Sequence, residues 1–203
     1  MAERLLVPPF LFFFALLYPM RWVNDPRRRL AGGAGGCLLI RRSALAEVGG
    51  FSAIKGAVID DISLASAVKR LGLPIRLASS RDRVRSVRAY RTLGDFWRTV
   101  RRTAFTQLRC SWVLLAGVTI VLAVLFAAPP ALVAAGLSGF GGRTPIVLGG
   151  LAWLVAATVY LPTVRRYHLV ALWALTLPLA GVLYGAMTVD SAIRHALGAR
   201  RVW

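Results

Sequence analysis

Three long apolar segments, at roughly 112–136, 145–162 and 168–188, constrain this chain more than any other feature. Each approaches the about 20 residues that an α-helix needs to cross a hydrocarbon core. Composition agrees. Of the 203 residues, 57% are hydrophobic, above the roughly 45–50% of ordinary soluble domains. Yet 26 Lys and Arg stand against 8 Asp and Glu, for a net charge of +18. High hydropathy joined to strong positive charge describes a membrane protein whose basic residues sit near anionic headgroups.

The charge is unevenly placed. Most Arg residues precede Ser111, and the long apolar runs follow it. This divides the chain into a basic region, 1–110, and a membrane region with a short basic tail, 111–203. Positive-inside counting places 1–110 in the cytoplasm. Three full spans would then leave the tail, with Arg194, Arg200 and Arg201, on the far side. That conflict suggests that one segment is re-entrant or interfacial, and Pro129 and Pro130 single out the first.

The first residues, LLVPPFLFFFALLYPM at 5–20, are apolar but short for a span. An interfacial or re-entrant helix fits them, flanked by Arg21 and Trp22. A basic turn at 24–29 and the stretch AGGAGG at 31–36 follow. The glycines imply a flexible or closely approached backbone. CLLI at 37–40 reads as a buried strand. A short helix comes next, with Ser43 as its cap and Gly49 as its stop. LPIRLAS at 73–79 and RDRVRSV at 81–87 read as short strands or extended segments.

Two helices carry the candidate chemistry. GAVIDDISLASAVKRLG at 56–72 places Asp60 and Asp61, two of only eight acids, at a helix start. Leu64, Val68 and Leu71 share one stripe, and Gly72 with Pro74 ends the helix. The pair can simply satisfy free first-turn N–H groups, or one carboxylate can take a proton from a hydroxyl. The second helix begins at Thr92 with a capping box to Asp95. Leu93, Phe96, Trp97, Val100, Ala104 and Leu108 fall in one sector, and Arg98, Arg101, Arg102 and Arg109 in the opposite one. This is the pattern of a helix lying in a membrane interface. The aromatics lie opposite the arginines, which argues against a nucleic-acid groove. Cys37, Cys110, His168 and His195 are scattered and form no metal-ligand pattern.

Taken in order, RWVNDPRRR, AGGCLLIRR, EVGGF, IDDISLA, RTLGDFWRTVRRTAFTQLR, YLPTVRRY and GAMTVDSAIRH resemble the C-terminal half of a family 2 membrane glycosyltransferase of GT-A type. The resemblance is to the hopene-associated (HpnB-like) group, from about Phe10 onward. It implies a mixed α/β fold, the last part of a GT-A domain with a few short strands, followed by about three membrane helices. It implies transfer of a sugar from a nucleotide-sugar donor to a hopanoid-like lipid acceptor, at a bacterial inner membrane.

Residue by residue, the resemblance makes Asp61 the base on the acceptor hydroxyl and Asp60 its acidic neighbour. Gly35 and Gly36 fall where backbone passes the sugar. Gly49, Gly50 and Phe51 match the acceptor-side loop. Arg98, Arg101 and Arg102 approximate a (Q/R)xxRW motif, with Arg102 in place of the Trp, and would offset diphosphate charge. The family also uses Mg or Mn held by a DxD motif. No DxD occurs in this sequence, so the resemblance implies a chain without its donor-binding half. The alternative, on composition alone, is a non-catalytic membrane protein that binds anionic lipid or a partner subunit through its basic face.

Overall fold

The computed structural model describes residues 2–80, 90 and 92–198. The chain forms two compact units, one of Met1–Phe12 with Tyr90–Trp203 and one of Phe13–Ala89. Among the described residues every regular element is helical: α1 (Ala2–Leu17), α2 (Met20–Val23), α3 (Arg42–Val48), α4 (Asp60–Arg70), α5 (Leu93–Gln107), α6 (Trp112–Leu122), α7 (Ala128–Leu137), α8 (Arg143–Arg166) and α9 (Leu177–Ala196).

This corrects the mixed α/β, GT-A expectation, because no strand forms among the described residues. The reason is visible at each expected strand. Residues 38 and 39 stand exposed, Leu39 completely so, with no neighbouring strand to cover them. Segment 73–77 is extended and alternates inward and outward, with Leu77 buried. Its hydrogen bonds go to a side chain instead of a ladder. The Leu77 N–H donates to Asn24 Oδ1 at 2.6 Å, and Asn24 Nδ2 donates to the Leu77 carbonyl at 3.0 Å. With both of its backbone groups satisfied, Leu77 needs no partner strand. The expected strand at 81–87 lies outside the described residues.

In the smaller unit, Tyr18, Val23 and Leu77 form the buried centre, with Phe14, Met20, Leu30, Ile62 and Ile75 around them. Lys69, in the last turn of α4, donates to the carbonyls of Val23 (2.6 Å) and Leu30 (2.7 Å). Desolvation lowers its pKa from the usual value, opposed by the nearby Asp25. Helix α3 starts one residue ahead of Ser43, after Arg41, so Ser43 is not its cap. Its stop is the one expected: Gly49 sits at φ +93°, and Gly50 N–H reaches back to the Leu45 carbonyl at 2.8 Å.

In the larger unit, three helical stretches are long and apolar enough to cross a membrane: Trp112–Leu137, Arg143–Arg166 and Ala171–Ala196. The proline pair does not break the first. A π-helical turn at Ala123–Ala127 precedes it, and α7 continues with helical backbone on both sides. The wider turn accommodates the missing proline N–H groups and the ring bulk. Helix α7 packs against α8 in antiparallel fashion, with Gly136 at Ile146 and Gly149 at Pro129 and Leu132.

Helix α9 is the packing centre of this unit, and it touches α5, α6, α8 and the π-turn. It does so through small residues. Ala180, Gly181 and Ala192 are buried, and a β-carbon at Gly181 would fall 2.5 Å from the Phe126 ring. Membrane helices associate largely through such close approach. Gly181→Val should therefore disrupt the bundle, lowering stability by about 1–3 kcal/mol. Gly117→Val, where no atom lies within 4 Å, should leave it unchanged. Thermal unfolding of both variants in detergent micelles checks this.

Candidate functional site

The acidic pair sits where the sequence places it, in the first turn of α4. Helix α4 has Ile59 at its cap position, with no side-chain cap, so the carboxylates satisfy the first-turn donors from inside the helix. Asp60 Oδ1 accepts from Asp61 N–H at 3.0 Å, and Asp61 Oδ1 accepts from Ile62 N–H at 2.8 Å. Asp61 does a second thing. Its Oδ2 accepts the N–H of Gly35, at 2.8 Å, across 26 residues of sequence. The glycine stretch thus lies directly on Asp61. A β-carbon on Gly33 would come within 2.6 Å of the Asp61 carbonyl oxygen. Of the two glycines singled out by sequence, Gly35 joins Asp61, while Gly36 has open space around its Cα.

This geometry fixes the Asp61 carboxylate at both oxygens without filling their remaining lone pairs. Asp61 is half-buried and Asp60 exposed. The loop that holds Gly49, Gly50 and Phe51 lies nearby in sequence, and its flanking elements pack on the same helix. The 3-10 turn Phe51–Ile54 and α3 both touch α4, and Ser52 donates to the Gly49 carbonyl at 2.7 Å. Phe51 is 63% exposed and takes no part in the core.

Helix α5 starts as its sequence indicates. Thr92 and Asp95 cap each other, with Asp95 N–H donating to Thr92 Oγ1 (3.1 Å) and Thr92 N–H to Asp95 Oδ2 (3.0 Å). The Thr92 bonds, chiefly, and the adjacent Arg98 hold the Asp95 carboxyl below its usual range. The apolar face is not left for lipid. Phe96, Val100 and Phe105 are buried, and Phe96 packs edge-on against Tyr184 of α9.

The three arginines of the approximate motif separate by environment. Arg98 pairs with Asp95 at 2.6 Å and keeps its side chain 67% exposed. Arg102 is exposed and has no ion pair among the described residues. Arg101 is drawn inward, at 24% exposure, toward Asp190 of α9 at 3.4 Å. Sequence reasoning missed Asp190. It accepts from Trp97 Nε1 at 2.7 Å and also faces Arg194 at 3.5 Å. The signal was available, since an ionisable residue inside an apolar span is rarely idle. Phe105 was missed as well. Its N–H donates to Ser191 Oγ at 3.0 Å and its side chain is 1% exposed.

No group of three or more His, Cys, Asp or Glu able to hold a metal exists among the described residues. The adjacent pair, with both Asp61 oxygens engaged by backbone N–H groups, does not supply the octahedral oxygen set that Mg favours. Among the described residues, then, no ligand set for the Mg or Mn that the resemblance implies is present.

A family model described as glycosyl transferase family 21 matches residues 22–197. The chain belongs to glycosyltransferase family 21. The matched family is 21, where the sequence motifs resemble family 2 and its hopene-associated group. No curated protein and no solved structure matches the chain. The match spans the acidic pair, the glycine stretch, α5 and all three apolar segments. A nucleotide-sugar donor, an acceptor and a membrane setting accord with family membership and the apolar helices.

Two outcomes follow for this family 21 chain. Gly33→Ala should push the glycine stretch off Asp61 and lower stability by about 1–3 kcal/mol, whereas Gly36→Ala should be neutral in the same melt. Because the folded Asp95 carboxyl is depressed, its contribution to the α5 cap is complete above its usual value of 3.8. It is lost as pH falls through the lower folded value. Amide exchange of the first turn of α5 should accelerate below that pH, and Thr92→Ala should abolish the pH dependence.

Proposed function

We propose that this chain takes part in moving a sugar from a nucleotide-sugar donor to a hydroxyl of a membrane lipid, with Asp61 as the base. The observation that carries the reading is the Asp61 carboxylate, oriented at both oxygens by the N–H groups of Gly35 and Ile62. A positioned carboxylate with lone pairs to spare suits proton abstraction from an acceptor hydroxyl. The acceptor oxygen gives its proton to Asp61 and bonds the anomeric carbon. The bond from that carbon to the diphosphate breaks, and the nucleoside diphosphate leaves with the electron pair. Arg98, Arg101 and Arg102 would offset its charge. Phe51, with Gly49 and Gly50, would border the acceptor.

A polycyclic, hopanoid-like acceptor fits the apolar helices and the resemblance of the sequence motifs, and the bacterial inner membrane is its natural setting. On this reading 1–110 lies on the cytoplasmic side, where nucleotide sugars are made. A donor-bound Mg or Mn would draw its ligands from outside the described residues, so no step is assigned to it.

The test joins the chain to the donor-binding half of a family member and measures labelled sugar transfer to lipid in reconstituted vesicles. Asp61→Asn should cut transfer by about 10²–10⁴-fold with an unchanged melting temperature. Full activity in Asp61→Asn would remove the base assignment. Vesicle binding that depends on Arg98, Arg101, Arg102 and Arg109 but ignores both Asp residues, with no transfer, would mark a non-catalytic anionic-lipid binder instead.

A further inference from the structure

We infer that the third apolar segment is re-entrant: it enters the bilayer and leaves by the same face, which returns the C-terminus to the side of α5. Helix direction within the larger unit requires it. Trp112–Leu137 is one continuous helix through its π-turn. Helix α8 runs antiparallel to it, as the Gly136–Ile146 and Gly149–Pro129 contacts show. Helix α9 also runs antiparallel to it. Gly181 meets Phe126, Gly185 meets Leu122, and Ala192 shares a buried cluster with Leu115 and Phe105. Two successive helices that both oppose a third must run the same way. The connection between α8 and α9 therefore has to travel back along the bundle.

That connection is built for a return. Helix α8 ends at Arg166, and His168 takes φ +53°, with the N–H of Leu169 bonded to the Val164 carbonyl at 3.2 Å, which reverses the chain. Val170 is extended and Ala171–Thr176 forms a 3-10 helix. Trp153 Nε1, near the middle of α8, donates to the Leu175 carbonyl at 3.0 Å. This places Leu175 about 20 Å of helix back from Arg166. The seven residues Leu169–Leu175, which run into the 3-10 helix, at about 2–3.3 Å each, cover most of that distance. A non-α backbone at membrane depth needs protein partners for its polar groups. Trp153 provides one, and Ala174 is buried at 4% exposure.

Charge placement follows the same division. By these helix directions the C-terminal ends of α8 and α9, with Arg165, Arg166 and Arg194, lie at the Trp112 end of the bundle, as does Arg109 in the turn after α5. At the opposite end, among the described residues 138–143, the one charge is Arg143. A single-sided cationic end is what positive-inside placement produces. The proline-bearing first segment, the candidate on sequence grounds, is the one that crosses fully. Packing and charge placement carry this topology independently of the glycosyl-transfer reading.

The experiment uses the full chain with Cys37→Ser and Cys110→Ser, in sealed membrane vesicles of known orientation. Single cysteines are placed by Arg109→Cys, Gly139→Cys and Gly198→Cys, all at exposed positions. A membrane-impermeant maleimide should label Arg109→Cys and Gly198→Cys from one side and Gly139→Cys from the other. Labelling of Gly198→Cys together with Gly139→Cys would overturn the inference. A reporter fused after Trp203 of the unmodified chain gives the same readout without altered helices. A compartment signal opposite to that of Arg109→Cys would overturn it equally.

Discussion

The larger unit depends on how closely other helices can approach α9. Leu177, Ala180, Met187 and Ala192 are at most 1% exposed and Gly181 is buried, and the two other long helices leave most of their surface uncovered. Lipid tails are as apolar as leucine, so burial of oily surface gives little net drive inside a bilayer. Contact at short range and satisfied polar groups must do the holding. Helix α9 supplies both. Its small residues admit Phe126, and its Ser191 and Asp190 receive N–H groups from α5. The position of the arginine helix is therefore set by α9, far away in sequence.

How much of this was legible in the sequence differs by mechanism. Local signals translated directly: the Thr92–Asp95 box, the Gly49 stop, the start of α4 at Asp60 and the three apolar stretches all depend on neighbours within a few residues. The α/β expectation failed because strand reading rests on apolar alternation. The alternation at 73–77 is real, yet an alternating segment becomes a strand only beside another one. Asn24 occupies that place for Leu77, and an amide side chain 53 residues away leaves no periodic trace. The interfacial reading of α5 was half right in the same sense. Its two faces are correctly separated, but the sequence does not say whether lipid or α9 covers the apolar one. The sector rule also placed Arg101 with the solvent-facing arginines, while a 3.4 Å approach to Asp190 pulls it inward.

The site was legible where it is local and opaque where it is not. Asp60 and Asp61 declared themselves by rarity and by position at a helix start. The Asp61–Gly35 bond turns two separate motifs into one feature, and only the folded chain shows that Gly33, rather than Gly36, is the glycine with no room for a side chain. A proline pair was read as a break, because the rule against proline in helices assumes i to i−4 bonding. The π-turn before it relaxes that assumption, and the helix runs on through both prolines.

The clip between Asn24 and Leu77 carries a chemical liability. One amide both donates to and accepts from the same residue. Spontaneous deamidation would convert it to a carboxylate, which accepts only and would face the Leu77 carbonyl oxygen with like polarity. The ageing of a single side chain would then leave the Leu77 carbonyl unpaired and loosen a segment that alternates apolar residues. Such an edge is what neighbouring molecules pair with, so loss of one nitrogen would turn a satisfied segment into a template for aggregation.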